Sequence, residues 1–204
     1  MTKVKMCGLS RPIDIEMANE LKPDYIGFVF YKKSKRYIDF DKAASLKSLL
    51  DSNIKAVAVF IDVELEEIKY LAENDIVDVI QLHGPQDNDF ISEIRKFTDK
   101  PIYKAFSIKS EDDILKIEQS KADMVLIDSP VAGSGKTFDW SLLKSVKRDY
   151  FLAGGLNKDN VIEAMKTLKP YGVDVSSGIE TDNLKDYMKA KEFITIVRKE
   201  DDNE

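Results

Sequence analysis

One cysteine and one histidine stand among the 204 residues of this chain. A single cysteine excludes an internal disulfide framework and a thiolate-rich zinc site. A single histidine excludes a multi-histidine metal site. No apolar run approaches the roughly 18 residues that a membrane span needs, and the opening MTKVKMCG does not read as a signal peptide. The expectation is a cytoplasmic protein with no membrane partner. No Gly/Ser/Pro-rich linker divides the chain. Acidic residues outnumber basic ones, Asp+Glu 37 against Lys+Arg 31, for a net charge of −6. That balance lacks the basic face that a nucleic-acid backbone requires, so no nucleic-acid partner is expected. What is present is the composition of a folded chain, 43% hydrophobic and 33% charged, long enough to bury roughly 70% of its unfolded surface.

Short β-rich runs alternate with amphipathic helical stretches. Strands are expected near residues 3–7, 25–30, 56–61, 77–82, 102–106, 124–128, 150–153 and 173–176. Between them, Leu65, Ile68 and Ala72 share one helical face. So do Val161, Met165 and Leu168, and later Tyr187, Ala190, Ile194 and Val197. Spacings of three and four fit a helix with one buried stripe. Asp39 is placed to cap a helix beginning near Phe40, and Asn157 to cap the one after Gly155. Eight strands, each followed by a helix, predict a parallel sheet. At this length they suggest a closed (β/α)8 TIM barrel of near-minimal size. An open doubly wound sheet is the rival, and periodicity alone does not separate the two. The expected organisation is one barrel domain over residues 1–198 with a charged, frayed tail over 199–204.

Alternate residues of a barrel strand point inward. In VKMCG, apolar Val4 and Met6 share one face, which leaves Lys5 and Cys7 for the interior. A lysine there needs a partner. In VDVSSG, Asp174 and Ser176 alternate with Val173 and Val175. First and last strands are neighbours in a closed barrel, so Lys5 and Asp174 are expected to meet; a purely structural ion pair is the plainer account of them. VIQLHG puts Gln81 and His83 on one face, and MVLIDSP ends at Asp128. Cys7, His83, Asp128 and Ser176 all fall at strand C-terminal ends, where barrels of this kind carry their active sites.

Two glycine-bearing turns come late. LAGGLN follows the seventh strand and SSGIE the eighth. Loops at these places often bind phosphate through backbone N–H groups, which lets an acidic protein hold an anion. In PVAGSGKTFDW, Gly135, Lys136 and Thr137 match the end of a P-loop, but Pro130 stands where that pattern needs glycine. An active-site loop able to close over substrate is the better reading. Arg36, in KKSKRYIDF after the second strand, can grip a carboxylate with two parallel bonds. From these residues alone, another enzyme on a related phosphate-binding barrel, a non-catalytic phosphate-metabolite binder and a magnesium-nucleotide binder stay open.

KMCGLSR, DYIGFVFYKKSKRYI, VIQLHG, LIDSP, GSGKTFDW, LAGGLN and VDVSSGIE occur in that order through nearly the whole chain. Together they resemble the phosphoribosylanthranilate isomerase family of tryptophan biosynthesis. One departure is TDNLKD after Glu180, where the family often has a Pro-Gly pair before Lys-Asp. The resemblance implies an Amadori rearrangement of N-(5-phosphoribosyl)anthranilate without metal or cofactor. It implies Cys7 as general base and Asp128 as general acid. It implies Arg36 on the anthranilate carboxylate, His83 and Asp174 lining the substrate, and Gly154, Gly155, Ser177 and Gly178 on the phosphate. The chemistry adds that Lys5 should pull the Cys7 thiol down. The partner is a small phosphorylated substrate, and the assembly is monomer or homodimer.

Overall fold

A computed structural model describes residues 1–108, 110–128 and 142–203. Eight strands run in chain order: β1 (Lys3–Cys7), β2 (Tyr25–Val29), β3 (Lys55–Phe60), β4 (Val79–Leu82), β5 (Ile102–Phe106), β6 (Met124–Asp128), β7 (Tyr150–Ala153) and β8 (Gly172–Val175). Each pairs in parallel with the next, and β8 pairs back onto β1. That last pairing makes the sheet a closed barrel and excludes the open alternative. Helices α1 (Pro12–Leu21), α2 (Phe40–Lys47), α3 (Leu65–Glu73), α4 (Asn88–Ile94) and α5 (Glu111–Glu118) follow the first five strands, and α6 (Val161–Leu168) follows β7.

The regular alternation fails twice. Between β6 and β7 the described residues hold only a 3-10 turn, Leu142–Ser145; the GSGKTFDW segment, with Gly133–Thr137, lies outside the described residues. After β8 a 3-10 turn (Ser177–Ile179) and a small hairpin, β9 (Glu180–Thr181) with β10 (Leu184–Lys185), precede α7 (Tyr187–Asn203). This hairpin is the TDNLKD segment. Asp182 and Asn183 sit at its tip with φ of 53° and 64°, the left-handed pair that a two-residue hairpin turn demands.

Two local expectations need correction. Asp39 does cap α2, accepting from the Lys42 amide at 2.8 Å. Asn157 does not cap α6. Its side chain accepts from the Asp159 amide, one turn early, and the helix starts after Asn160. The frayed tail is also wrong, because residues 199–203 continue α7. Asp201 accepts from the Thr2 amide at 2.9 Å and from its hydroxyl at 2.7 Å, and Glu200 is buried facing Lys166 at 3.4 Å. The end of α7 is tied to Thr2, the residue just before β1.

The barrel interior and the helix layer form separate cores. Val4 and Met6 of β1 face the helices and are fully buried. Burial of such side chains contributes about 1.5–3 kcal/mol each. Inside the barrel, Tyr25, Tyr103, Phe151 and Tyr171 make a cluster of edge-to-face and tilted ring contacts, with centroids 5.5 to 6.1 Å apart. These rings sit at or near the N-terminal ends of their strands and leave the opposite end of the barrel for polar groups.

Asp24, just before β2, closes the N-terminal end. It accepts from the Val4 amide at 2.9 Å, from Lys3 at 2.8 Å and from Arg198 of α7 at 2.8 Å. Partial burial pushes its carboxyl up, but the hydrogen bonds from Lys3, Val4 and Arg198 outweigh that and hold it below the usual carboxylate range. A depressed carboxyl contributes stability above its unfolded value, about 3.9, and loses it as pH falls through the folded value. Asp24→Asn should therefore cost about 1–3 kcal/mol at neutral pH, with the gap to wild type closing in acid. Denaturant unfolding at about pH 7 and about pH 3 checks this; an unchanged gap contradicts it.

Candidate active site

Lys5 and Asp174 are direct register partners across the β1–β8 seam. The Lys5 ammonium is 0% exposed and donates to Asp174 Oδ2 at 2.8 Å. Burial alone pulls this ammonium down, but the charges of Asp174 and Cys7 outweigh it, and Lys5 is held above its ordinary value. The pair lies directly below Cys7, the last residue of β1.

Above it opens a cavity of about 310 Å³ at the C-terminal ends of the strands. Cys7, Arg36, His83, Asp128, Gly154, Gly155, Asp174 and Ser177 all line it, each an expected site residue. Gly178 does not line it. A Cβ on Gly178 would lie 2.0 Å from the Leu156 carbonyl oxygen, so this glycine lets the loops after β7 and β8 touch. Gly154 and Gly155 have φ of 85° and 67°. Two successive left-handed residues turn the backbone where a side chain would be strained.

Cys7 is half-buried, and burial dominates its titration by pushing the thiol up. Lys5 and Lys185 pull it down, Asp174 opposes them, and the net direction is above the ordinary value. The expected pull from Lys5 is present in sign but loses to desolvation.

Arg36 meets a protein carboxylate before any ligand. Its Nε and Nη2 donate to Glu180 Oε1 and Oε2, both at 2.7 Å. Nη1 has no partner among the described residues. Lys185 donates to the same carboxylate at 2.6 Å and to the Ser176 carbonyl at 2.9 Å. Ser176 Oγ in turn donates to the Cys7 carbonyl at 3.0 Å. Burial pushes the Glu180 carboxyl up, but Arg36 and Lys185 outweigh it and hold it below the usual range. Sequence reasoning missed Glu180 and Lys185. The available signal was Asp182-Asn183, a two-residue turn that folds Lys185 back opposite Glu180.

On the far wall, His83 Nε2 lies 3.0 Å from Asp128 Oδ2, and Gln81 Nε2 lies 3.3 Å from His83 Nδ1. Gln81 Oε1 and Asp174 Oδ1 are buried and have no partner among the described residues. Both residues line the cavity. The arrangement offers a thiol on the first strand and a carboxyl group on the sixth, cations for an anionic ligand, and two glycine-bearing turns.

Lys5→Met should cost about 3–5 kcal/mol, because it leaves Asp174 buried without a countercharge. Lys5→Met combined with Asp174→Leu should recover most of that loss. Urea unfolding of the three proteins checks it, and a single variant as stable as wild type contradicts it.

Comparison with known proteins bears on this geometry. Residues 4–196 match the family model described as N-(5'phosphoribosyl)anthranilate (PRA) isomerase. The isomerase of that name from Thermoanaerobacter pseudethanolicus is 47% identical over 204 residues, covering 97% of this chain and 98% of the relative. A Thermotoga maritima structure, described as monomers generated from the dimeric phosphoribosylanthranilate isomerase, superposes with a TM-score of 0.86 at 34% identity, covering 98% of this chain and 100% of that one. A phosphoribosylanthranilate isomerase in complex with reduced 1-(o-carboxyphenylamino)-1-deoxyribulose 5-phosphate does so with a TM-score of 0.86 at 32% identity, at the same coverage. A family match over nearly every residue and a relative almost half identical from end to end lead to one conclusion: this chain belongs to the N-(5'-phosphoribosyl)anthranilate isomerase family.

Proposed function

We propose that the cavity converts N-(5-phosphoribosyl)anthranilate into 1-(2-carboxyphenylamino)-1-deoxyribulose 5-phosphate, the isomerisation of tryptophan biosynthesis, with Cys7 and Asp128 as base and acid. The reading rests on one observation: the thiol, the carboxyl, Arg36 and the two glycine-bearing turns belong to the same cavity.

Asp128 gives a proton to the ring oxygen of the ribose. The bond from C1 to that oxygen breaks as the anthranilate nitrogen donates its lone pair, which forms an iminium. Cys7 takes the proton from C2, and the electrons of that C–H bond become the C1–C2 double bond while the nitrogen recovers its pair. The enolamine then loses its hydroxyl proton and gains one at C1, leaving the ketone. Substrate and product are isomers, and the substrate nitrogen is the electron sink, so the steps call for no metal or cofactor.

The raised thiol of the free protein fits this order of events. An iminium forming next to C2 places positive charge beside the sulfur, and a nearby opposite charge favours the thiolate. Lys5 adds a fixed contribution of the same sign. The thiol proton passes to water as the ring opens, and the resulting thiolate then takes the proton from C2. Arg36, aimed by Glu180, presents its Nη1 side to the anthranilate carboxylate. Backbone N–H groups at Gly154, Gly155 and Ser177 receive the phosphate, while Gly178 sets the approach of the two loops. Asp174 and His83 line the sugar. The chain acts as one barrel domain on a small phosphorylated substrate in the cytoplasm, as a monomer or as a homodimer like the Thermotoga relative. No helix among the described residues is long and apolar enough to cross a membrane.

Cys7→Ser and Asp128→Asn should each lower kcat by roughly 10²-fold or more with modest change in KM, because each group acts in the transition state. Arg36→Ala should raise KM about tenfold or more while kcat falls less. Decay of substrate fluorescence measures both constants. Near-normal turnover in the first two variants removes their roles, and an unchanged KM removes Arg36 from the carboxylate.

A further inference from the structure

Gln81 is an amide inside an apolar wall. Its register partners on β3 and β5 are Val59 and Tyr103, and it is 1% exposed. Packing alone gives no reason for an amide here, since its Oε1 has no partner among the described residues and a buried orphan is destabilising. Its other end makes one contact, Nε2 to His83 Nδ1 at 3.3 Å. The next contact runs from His83 Nε2 to Asp128 Oδ2 at 3.0 Å.

A neutral imidazole carries its proton on one nitrogen, and the partner of one nitrogen decides what the other can do. An amide N–H that donates to Nδ1 leaves the ring proton on Nε2. That N–H then donates to Asp128 Oδ2. The other carboxyl oxygen, Oδ1, is left to carry a proton toward the cavity. As Asp128 gives up that proton its carboxyl becomes anionic, and a hydrogen bond from Nε2–H strengthens when its acceptor gains charge. Contacts that strengthen toward the transition state are the ones that raise kcat.

We propose that Gln81 is a positioning residue for the isomerisation: by donating to His83 Nδ1 it holds the ring proton on Nε2, where it steadies Asp128 as that group donates. The inference rests on Asp128 being the general acid and extends it by naming what orients the acid. The opposite tautomer, with Nδ1 protonated, would leave Asp128 facing a bare nitrogen lone pair and would tie its proton to the ring instead of the sugar.

The chain has one histidine, so ¹⁵N-histidine labelling gives an NMR spectrum of this ring alone. With reduced 1-(2-carboxyphenylamino)-1-deoxyribulose 5-phosphate bound at about pH 8, above the ordinary imidazole range, the wild type should show Nε2 protonated and Nδ1 accepting a hydrogen bond. Gln81→Met should move the Nδ1 resonance to that of an unbonded nitrogen and lower kcat about tenfold. A wild-type ring protonated on Nδ1 overturns the proposal. So does a Gln81→Met protein that keeps either the wild-type Nδ1 resonance or the wild-type kcat. Should Gln81→Met fail to fold, the wild-type tautomer decides on its own. Asp128→Asn, assayed alongside, separates the two levels. Full turnover there removes the acid itself, whereas an inactive Asp128→Asn with a ring indifferent to Gln81 removes only the role of Gln81.

Discussion

A charged pair buried across the closing seam of the barrel, Lys5 with Asp174, is the constraint on which the site depends. Neither group tolerates the interior alone. Residues 169 positions apart meet only if the eighth strand returns to the first. The pair therefore ties closure of the sheet to the placement of charge beneath Cys7. It also sets the balance at the sulfur: burial favours the thiol, Lys5 favours the thiolate, and Asp174 takes back part of what Lys5 contributes. In the proposed reaction a positive centre developing beside the sulfur would tip this balance toward the thiolate.

The rest of the cavity solves a second electrostatic problem. The protein carries a net charge of −6, while the proposed substrate carries a phosphate and a carboxylate. Among the described residues, Lys5, Arg36 and Lys185 gather around the thiol and pair with Asp174 and Glu180, so three cations meet two carboxylates on this side of the cavity although the chain as a whole is acidic. Glu180 keeps the guanidinium and the lysine from repelling each other and fixes the direction of Arg36. In the proposed reading the glycine-bearing turns would receive the phosphate through backbone dipoles, which add nothing to the formal charge.

Much of this was legible in the sequence, for identifiable reasons. Strict alternation in β1 and β8 marked Lys5, Cys7 and Asp174 as inward, because period two leaves a polar residue no other face. Cys7, His83 and Asp128 were legible as strand ends. Interactions whose partner lies far along the chain were not. The charged residues after Arg198 read as a frayed tail until Asp201 met Thr2 across the closed ring. Asn157 had the chemistry of a cap, and only the path of the chain decided that it serves a turn ahead of α6. Glu180 and Lys185 became a site only through a hairpin of two residues per strand, too short for any periodicity to announce. The direction of the Cys7 shift was missed because a nearby cation is visible in sequence and the depth of burial is not.

The central claim is spatial: sulfur and carboxyl act on opposite ends of one event in one sugar. It is tested most directly by a crystal structure of this chain with reduced 1-(2-carboxyphenylamino)-1-deoxyribulose 5-phosphate. The account predicts the phosphate on Gly154, Gly155 and Ser177, the Cys7 sulfur in van der Waals contact with C2, and an Asp128 oxygen about 2.6–3.2 Å from the hydroxyl oxygen derived from the opened ring. A ligand seated with C2 beyond the reach of Cys7, or with Asp128 turned to solvent, contradicts it.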